Sequence, residues 1–172
     1  MVRSSVAKRG KKQSKTKSEG AHKTVARNRK ARYQYAILER FEAGIELKGA
    51  EVKSLREGQA SLEGSFARPQ GSEIFLLDAQ INPYANAAPG GLDPRRPRKL
   101  LLRRREINRL AAQVRQKGFT LVPLSIYFAR GLAKVELALC TGKTHGDKRQ
   151  AMKEAEVKRR LAAARVNTRK GR

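Results

Sequence analysis

Residues 119–140 read FTLVPLSIYFARGLAKVELALC, and this stretch decides the fold class. Two apolar runs, 119–128 and 132–140, flank Arg130 and Gly131. Their length, together with their branched and aromatic residues, predicts an antiparallel pair of strands. In the second run Val135, Leu137 and Leu139 alternate with Lys134, Glu136 and Ala138, so one dry face and one wet face are expected. Cys140 at its end reads as a small core residue.

Working outward, the same signals recur upstream. Residues 33–47 mix Tyr35, Ile37, Phe41 and Ile45 with polar neighbours, which suits a half-buried strand broken at Gly44. Residues 50–57 put Val52 and Leu55 on one side of a short helix, and Gly58 stands where a left-handed cap would end it. Residues 65–69 and 73–79 read as a hairpin turning through Gly71. The stretch 82–97 carries Pro83, Pro89, Pro94 and Pro97 with Gly90 and Gly91, so it is a loop. After it Ile107, Leu110, Ala111 and Val114 recur at helical spacing, with Gly118 just past the end. At 100° per residue, Arg105 and Arg109 turn away from that stripe, while Arg104, Asn108 and Arg115 line one flank.

Charge is spread unevenly along the 172 residues, whose formal net charge is +25. Residues 1–32 hold 12 basic and 1 acidic side chain, residues 33–140 hold 17 and 11, and residues 141–172 hold 11 and 3. A moderately basic body thus lies between two strongly basic arms. Such an imbalance repels itself unless a polyanion shares the load, and phosphate is the usual one, so nucleic acid is the expected partner. Residues 1–24 are too poor in apolar side chains to order themselves. From Asp147 onward Ala, Lys, Glu and Arg favour helix, yet the thin apolar content leaves that tail only partly formed alone in water. No apolar run approaches the roughly 18 residues of a membrane span, so no membrane is expected. A single cysteine excludes an intrachain disulfide and fits the reducing cytoplasm.

Catalytic chemistry finds little to stand on. The two histidines, His22 and His145, lie in the arms, and one cysteine with two distant histidines makes no zinc site. Gly142, Lys143 and Thr144 echo the end of a P-loop, but Leu137 occupies the position of its first glycine. Neither a catalytic residue nor a metal or organic cofactor is therefore expected. The basic cluster is different in kind. Arg95, Arg96, Arg98, Lys99, Arg103, Arg104, Arg105, Arg109, Arg115 and Lys117 crowd around the loop and the helix, with Glu106 as the interspersed acid. Arginine's planar fork suits phosphate and stacks on unpaired bases, which points to a folded RNA.

Five strings occur in order: EAGIELKGAEVKSLREG from Glu42, DPRRPRKLLL from Asp93, REIN from Arg105, GFTLVPL from Gly118 and DKR from Asp147. Together they resemble the SmpB family, which binds transfer-messenger RNA (tmRNA, or SsrA RNA) in trans-translation. The likeness covers about residues 24–154. It implies a mainly β protein: an OB-like closed barrel of about six strands with about three helices, spanning residues 25–143. Residues 1–24 would be a disordered basic arm, and residues 144–172 a basic tail that becomes helical on the ribosome. It implies a monomeric, cytoplasmic, non-enzymatic adaptor that holds the tRNA-like domain of tmRNA and delivers it to ribosomes stalled on broken mRNA, the tail entering the empty mRNA channel. A ribosomal structural protein with a similar barrel is the alternative.

Carried over by motif, the RNA-facing residues are Asn28, Arg29, Lys30, Glu42, Lys53, Ser54, Leu101 and Arg103, and the basic cluster adds Arg104, Arg105 and Asn108. Glu42, an acid facing an anion, either accepts hydrogen bonds from base amino groups or a 2′-hydroxyl, or orients a neighbouring arginine, the latter slightly favoured. Arg103 replaces the family's frequent Asn or His, which shifts that contact toward phosphate. The ribosome-facing residues are Lys143, His145, Asp147, Lys148, Arg149, Met152 and Lys153. Where the family often places His or Tyr before the Asp, this chain has Gly146, with His145 one residue earlier.

Overall fold

The computed structural model describes residues 23–84, 92–116 and 118–144, together with 146, 147, 149, 152, 156 and 160. In chain order its elements are β1 (Lys23–Arg27), α1 (Ala31–Gln34), β2 (Tyr35–Ile45), α2 (Gly49–Arg56), β3 (Ala60–Ser61), β4 (Phe66–Gln70), β5 (Glu73–Leu77), β6 (Gln80–Ile81), β7 (Arg98–Leu101), α3 (Arg104–Arg115), β8 (Phe119–Ala129) and β9 (Leu132–Gly142).

The pair that decides the class forms as the pattern requires. β8 and β9 run antiparallel from Phe119 opposite Thr141 to Ala129 opposite Leu132. Arg130 and Gly131 turn the chain with φ of 51° and 79°, the two left-handed residues of a primed hairpin turn. Pro123 is tolerated inside β8 because the register shifts beside it, between Pro123 and Ser125, so a bulge absorbs the missing donor. β4 and β5 form the second hairpin, with Gly71 at φ 59°.

These strands close on themselves: β8 pairs with β4, β4 with β5, β5 with β7, β7 with β2, β2 with β9 and β9 again with β8. All the pairings are antiparallel. The ring encloses the main core, where Phe41, Ala43, Ile74, Leu76, Leu100, Leu121, Ile126, Val135 and Leu137 meet, and α3 adds Ile107 and Leu110. β1 lies outside the ring, on β8, with Lys23 opposite Phe128 and Arg27 opposite Ser125. A separate two-stranded sheet joins β3 to β6.

Several expectations need correction. The strand expected to break at Gly44 runs through it, because Gly44 is where β2 changes partners: it faces Lys134 of β9 and Leu101 of β7 at once. Its start shifts too, since Tyr33 belongs to α1. The outer face of β9 is wet only in part. Ala138 and Cys140 are buried with Ala31, Val122 and Leu124 in a second, smaller core, which explains why the 121–126 run of β8 is apolar on both faces. β1 and β7 have no counterpart in the sequence reading, and β1 begins two residues inside the stretch 1–24; residues 1–22 lie outside the described ones.

β7 was hidden inside the basic cluster, and Arg98 shows why. Its side chain is wholly buried, yet Nε donates to Glu51 Oε1 (2.9 Å), Nη1 to the Ala79 and Arg96 carbonyls (2.6 and 3.2 Å) and Nη2 to the Pro94 carbonyl (2.9 Å). Glu51, also buried, accepts further bonds from Arg96 Nε and Nη2 (3.0 and 2.6 Å) and from the Lys48 N–H (2.8 Å). Burial alone would raise the Glu51 carboxyl, but Arg96, the Lys48 amide and the charge of Arg98 outweigh it and hold the group below its ordinary range. This knot ties α2, Ala79 just before β6, residues 94–96 and β7 together.

Candidate nucleic-acid interface

The cross-strand register builds one face outside the ring. On an antiparallel sheet, residues directly opposite point to the same side. Tyr127 on β8 stands opposite Lys134 on β9, Lys134 opposite Gly44 on β2, and Gly44 opposite Leu101 on β7. In the next row Ser125 stands opposite Glu136 and Glu136 opposite Glu42. The Leu101 side chain lies over Gly44, where a Cβ would meet Leu101 Cβ at 3.1 Å and Cδ1 at 3.4 Å. The glycine is what lets β7 approach and leaves Leu101 half exposed at 52%.

Two carboxylates side by side, Glu42 and Glu136, would repel each other unless cations intervened. Lys134 Nζ reaches Glu42 Oε1 at 3.1 Å, and Arg40 Nη1 donates to Glu136 Oε1 at 3.0 Å. The Tyr127 hydroxyl donates to Glu42 Oε2, and the Ser125 hydroxyl donates to Glu136 Oε2 at 3.0 Å. Partial burial, followed by the Glu42 bond and charge, pushes the Tyr127 phenol well above its usual value, so it remains a donor. Among the described contacts, Glu42 holds Lys134 and Tyr127. Neither was singled out in the sequence as a partner of Glu42, because strand alternation gives a side but not a register.

The other expected RNA contacts fall into three places. Near the first strand, Asn28 spends its side chain on the fold: Oδ1 accepts from the Ala31 N–H (3.0 Å), and Nδ2 donates to the Leu62 carbonyl (3.2 Å). Lys30 pairs with Glu63, whose carboxyl it holds below the ordinary range, while Arg29 is exposed. These residues and Arg27 line a hollow of about 230 Å³ with Ser61 and Glu63. On α2, exposed Lys53 sits over the Tyr84 ring, 5.3 Å from its centroid. Ser54 does not join it, being wholly buried with its hydroxyl donating to the Ala50 carbonyl at 3.2 Å.

On α3, the cluster that read as uniformly cationic is sorted by its partners. Arg96 and Arg98 belong to Glu51, Lys99 pairs with Glu73, and Arg104 Nη1 donates to the Ser72 carbonyl at 3.0 Å. Arg109, expected to point away, leans back onto β2, where it pairs with Glu39 and lies 5.9 Å from the Phe41 ring centroid. Arg103, Arg105 and Asn108 are exposed, and neither arginine has an ion pair among the described residues. The Arg103 N–H donates to Glu106 Oε2 at 2.9 Å, which starts the helix. In the tail, Asp147, Arg149 and Met152 are helical and exposed. Lys143 turns back, its Nζ donating to the Arg32 carbonyl at 3.0 Å. His145, Lys148 and Lys153 lie outside the described residues. Among those described, no three His, Cys, Asp or Glu converge and no helix is long and apolar enough to cross a membrane.

Known proteins match this arrangement over nearly all of the folded body. The family described as SmpB protein matches residues 25–167. An SsrA-binding protein of Myxococcus xanthus is 49% identical over 147 residues, covering 86% of this chain and 91% of that one. One from a Sulfurihydrogenibium species is 52% identical over 141 residues, covering 82% and 93%, and one from Mycobacterium tuberculosis is 52% identical over 144 residues, covering 84% and 90%. Among solved structures, a chain from "tmRNA-SmpB: a journey to the center of the bacterial ribosome" superposes with a TM-score of 0.60 at 52% identity, covering 73% of this chain and 92% of that one. With the family pattern spanning body and tail and half the residues shared, this chain belongs to the SmpB family.

Proposed function

We propose that this chain binds tmRNA (SsrA RNA) for trans-translation, holding its tRNA-like domain on the folded body and delivering it to ribosomes stalled on broken mRNA. The observation that carries the reading is the likeness, over 92% of its length, to an SmpB chain whose solved structure is described with tmRNA and the bacterial ribosome. The closed ring of antiparallel strands is read as an OB-like barrel. Its RNA surface is the outer face around Gly44, with Leu101, Lys134 and Tyr127, continued by Arg103, Arg105 and Asn108 of α3. Arg29 and Lys53 extend it.

Two features favour this placement. The Leu101 side chain lies over Gly44 and is half exposed, and Arg103 and Arg105 follow it in the chain, so phosphates can be neutralised while a sugar or base edge packs on an apolar side chain. Glu42 needs no contact with RNA: it holds the Lys134 ammonium in place, and a cation held rigidly binds with less entropy cost than a free one. The tail, from Thr144 onward, serves the ribosome, in the cytoplasm and with no cofactor.

The test is a titration of the full chain against tmRNA and against an unrelated RNA of equal length, across a range of salt. Tight binding to tmRNA and weaker binding to the control are expected. Arg103→Ala with Arg105→Ala should lower the affinity and reduce the salt slope by about one to two. Equal binding to both RNAs overturns the assignment. Removal of the tail from Asp147 onward should spare tmRNA binding and abolish rescue, and joint loss of both activities overturns the division between body and tail.

A further inference from the structure

The chain leaves the ring at a clamped corner. β9 ends at Gly142, and the next residue, Lys143, donates its backbone N–H to the Gln34 carbonyl (3.0 Å) and its Nζ to the Arg32 carbonyl (3.0 Å), both in α1. One residue later, the Thr144 N–H and hydroxyl both donate to Asp147 Oδ2, at 3.1 and 2.8 Å. The Asp147 N–H donates back to Thr144 Oγ1 at 3.4 Å. Reciprocal bonds between a Thr and an acid three residues on are those of a helix start, in which each side chain satisfies the other's orphan N–H. Gly146, Asp147, Arg149, Met152, Glu156 and Arg160 are helical beyond it, and Arg160 Nη2 donates to Glu156 Oε1 at 2.7 Å, one turn apart. The Thr144 hydroxyl first, and its amide second, hold the Asp147 carboxyl below its ordinary range.

We propose that Asp147 is a positioning residue: with Thr144 it starts the tail helix, and Lys143 fixes that start to the folded body, so the helix has its phase before it meets any partner. A carboxylate at the start of a tail this basic is otherwise hard to explain, because a direct contact with phosphate would be repulsive. Nucleation is the costly step for a short helix poor in apolar residues, and Gly146 in its first turn makes it costlier. A preformed first turn offsets both. Phase matters as well, because a start displaced by one residue rotates everything after it by about 100° and turns Arg149 and Met152 to a different side.

The consequence for rescue rests on the tail acting on the ribosome, whereas the helix start does not. The experiment therefore reads both, in the full chain, with Thr144→Val, Thr144→Ser and Asp147→Ala. Backbone chemical shifts of residues 146–160 in the free protein should show the tail's helix equilibrium falling about three- to tenfold in Thr144→Val and Asp147→Ala. Thr144→Ser, which keeps the hydroxyl, should restore it. Tag addition on stalled ribosomes should fall in the same two variants and recover in the third, with tmRNA affinity unchanged throughout. If Asp147→Ala abolishes rescue while Thr144→Val retains it, Asp147 acts by direct contact and the proposal is overturned. It is equally overturned if neither substitution alters the helical shifts. Loss of helix in both, with no tag addition by any form including the unaltered chain, upholds the helix start and refutes the proposed rescue function instead.

Discussion

Replacing Glu51 by Gln conserves shape and removes one charge, at a site where water cannot replace it. The carboxylate accepts from Arg96 Nε and Nη2, Arg98 Nε and the Lys48 N–H, at 2.6–3.0 Å. A glutamine amide presents donors to donors on one side of that knot. Breaking a buried ion pair by removing one partner costs about 3–5 kcal/mol. Arg98 keeps its bonds to the Ala79, Pro94 and Arg96 carbonyls, which solvate part of its charge, so the lower end, about 3 kcal/mol, is expected. Against the 5–15 kcal/mol that usually holds a domain together, that is a large share and should lower the melting temperature by about 10 °C. Arg96 is the control: its side chain is 24% exposed and can turn to solvent, so Arg96→Ala should cost about 1 kcal/mol. Urea unfolding at pH 7, followed by far-ultraviolet circular dichroism and by tyrosine fluorescence, measures both. The reasoning fails if Glu51→Gln lies within about 0.5 kcal/mol of the parent, or if Arg96→Ala costs as much.

The same carboxyl sets an acid limit: its folded value lies below the ordinary 4.5, so its stabilisation is complete above that pH and is lost as pH falls through the folded value. Unfolding free energy measured between pH 6 and 3 should therefore decline, and Glu51→Gln should decline less steeply. Gly44→Ala should destabilise by about 1–2 kcal/mol, because its Cβ would crowd Leu101 Cβ at 3.1 Å, and truncating Leu101 to Ala should not relieve it, since Ala keeps that atom. Paired thermal melts check both variants. Burial pushes the Cys140 thiol up to about 11, so a disulfide reagent at pH 8 should leave it unmodified in the native protein and label it fully in denaturant.

The sequence revealed what depends on local pattern. Both long hairpin strands, the hairpin through Gly71, the short helix before Gly58 and the stripe of α3 all formed where periodicity and turn residues placed them. What it hid depends on distant partners. β7 reads as a run of cations because an arginine's burial is decided by Glu51, 47 residues away, and by three carbonyls. Gly44 reads as a strand break because its role is to admit a second neighbour, which no local window contains. The basic cluster likewise gave the right sign of charge but not its distribution: Arg104 and Arg109 are occupied by Ser72 and Glu39, while Arg95, Arg103, Arg105 and Arg115 are exposed with no ion pair among the described residues. Ser54, carried over from a family motif, faces inward and donates to the Ala50 carbonyl, a burial that no local window reveals.

Ring closure spares most strands an open flank, but β8 needs three neighbours rather than two: β9 on one side, and on the other β4 at Leu121, then β1 along residues 125–128. β1 therefore works as a selvedge that finishes the cloth. A shortened chain beginning at Asn28 would keep every residue of the ring and still carry a raw hem of unsatisfied amides and carbonyls along residues 125–128, a flank open to pairing with another strand. Any shortened form meant to keep that flank of β8 covered must therefore retain residues 23–27.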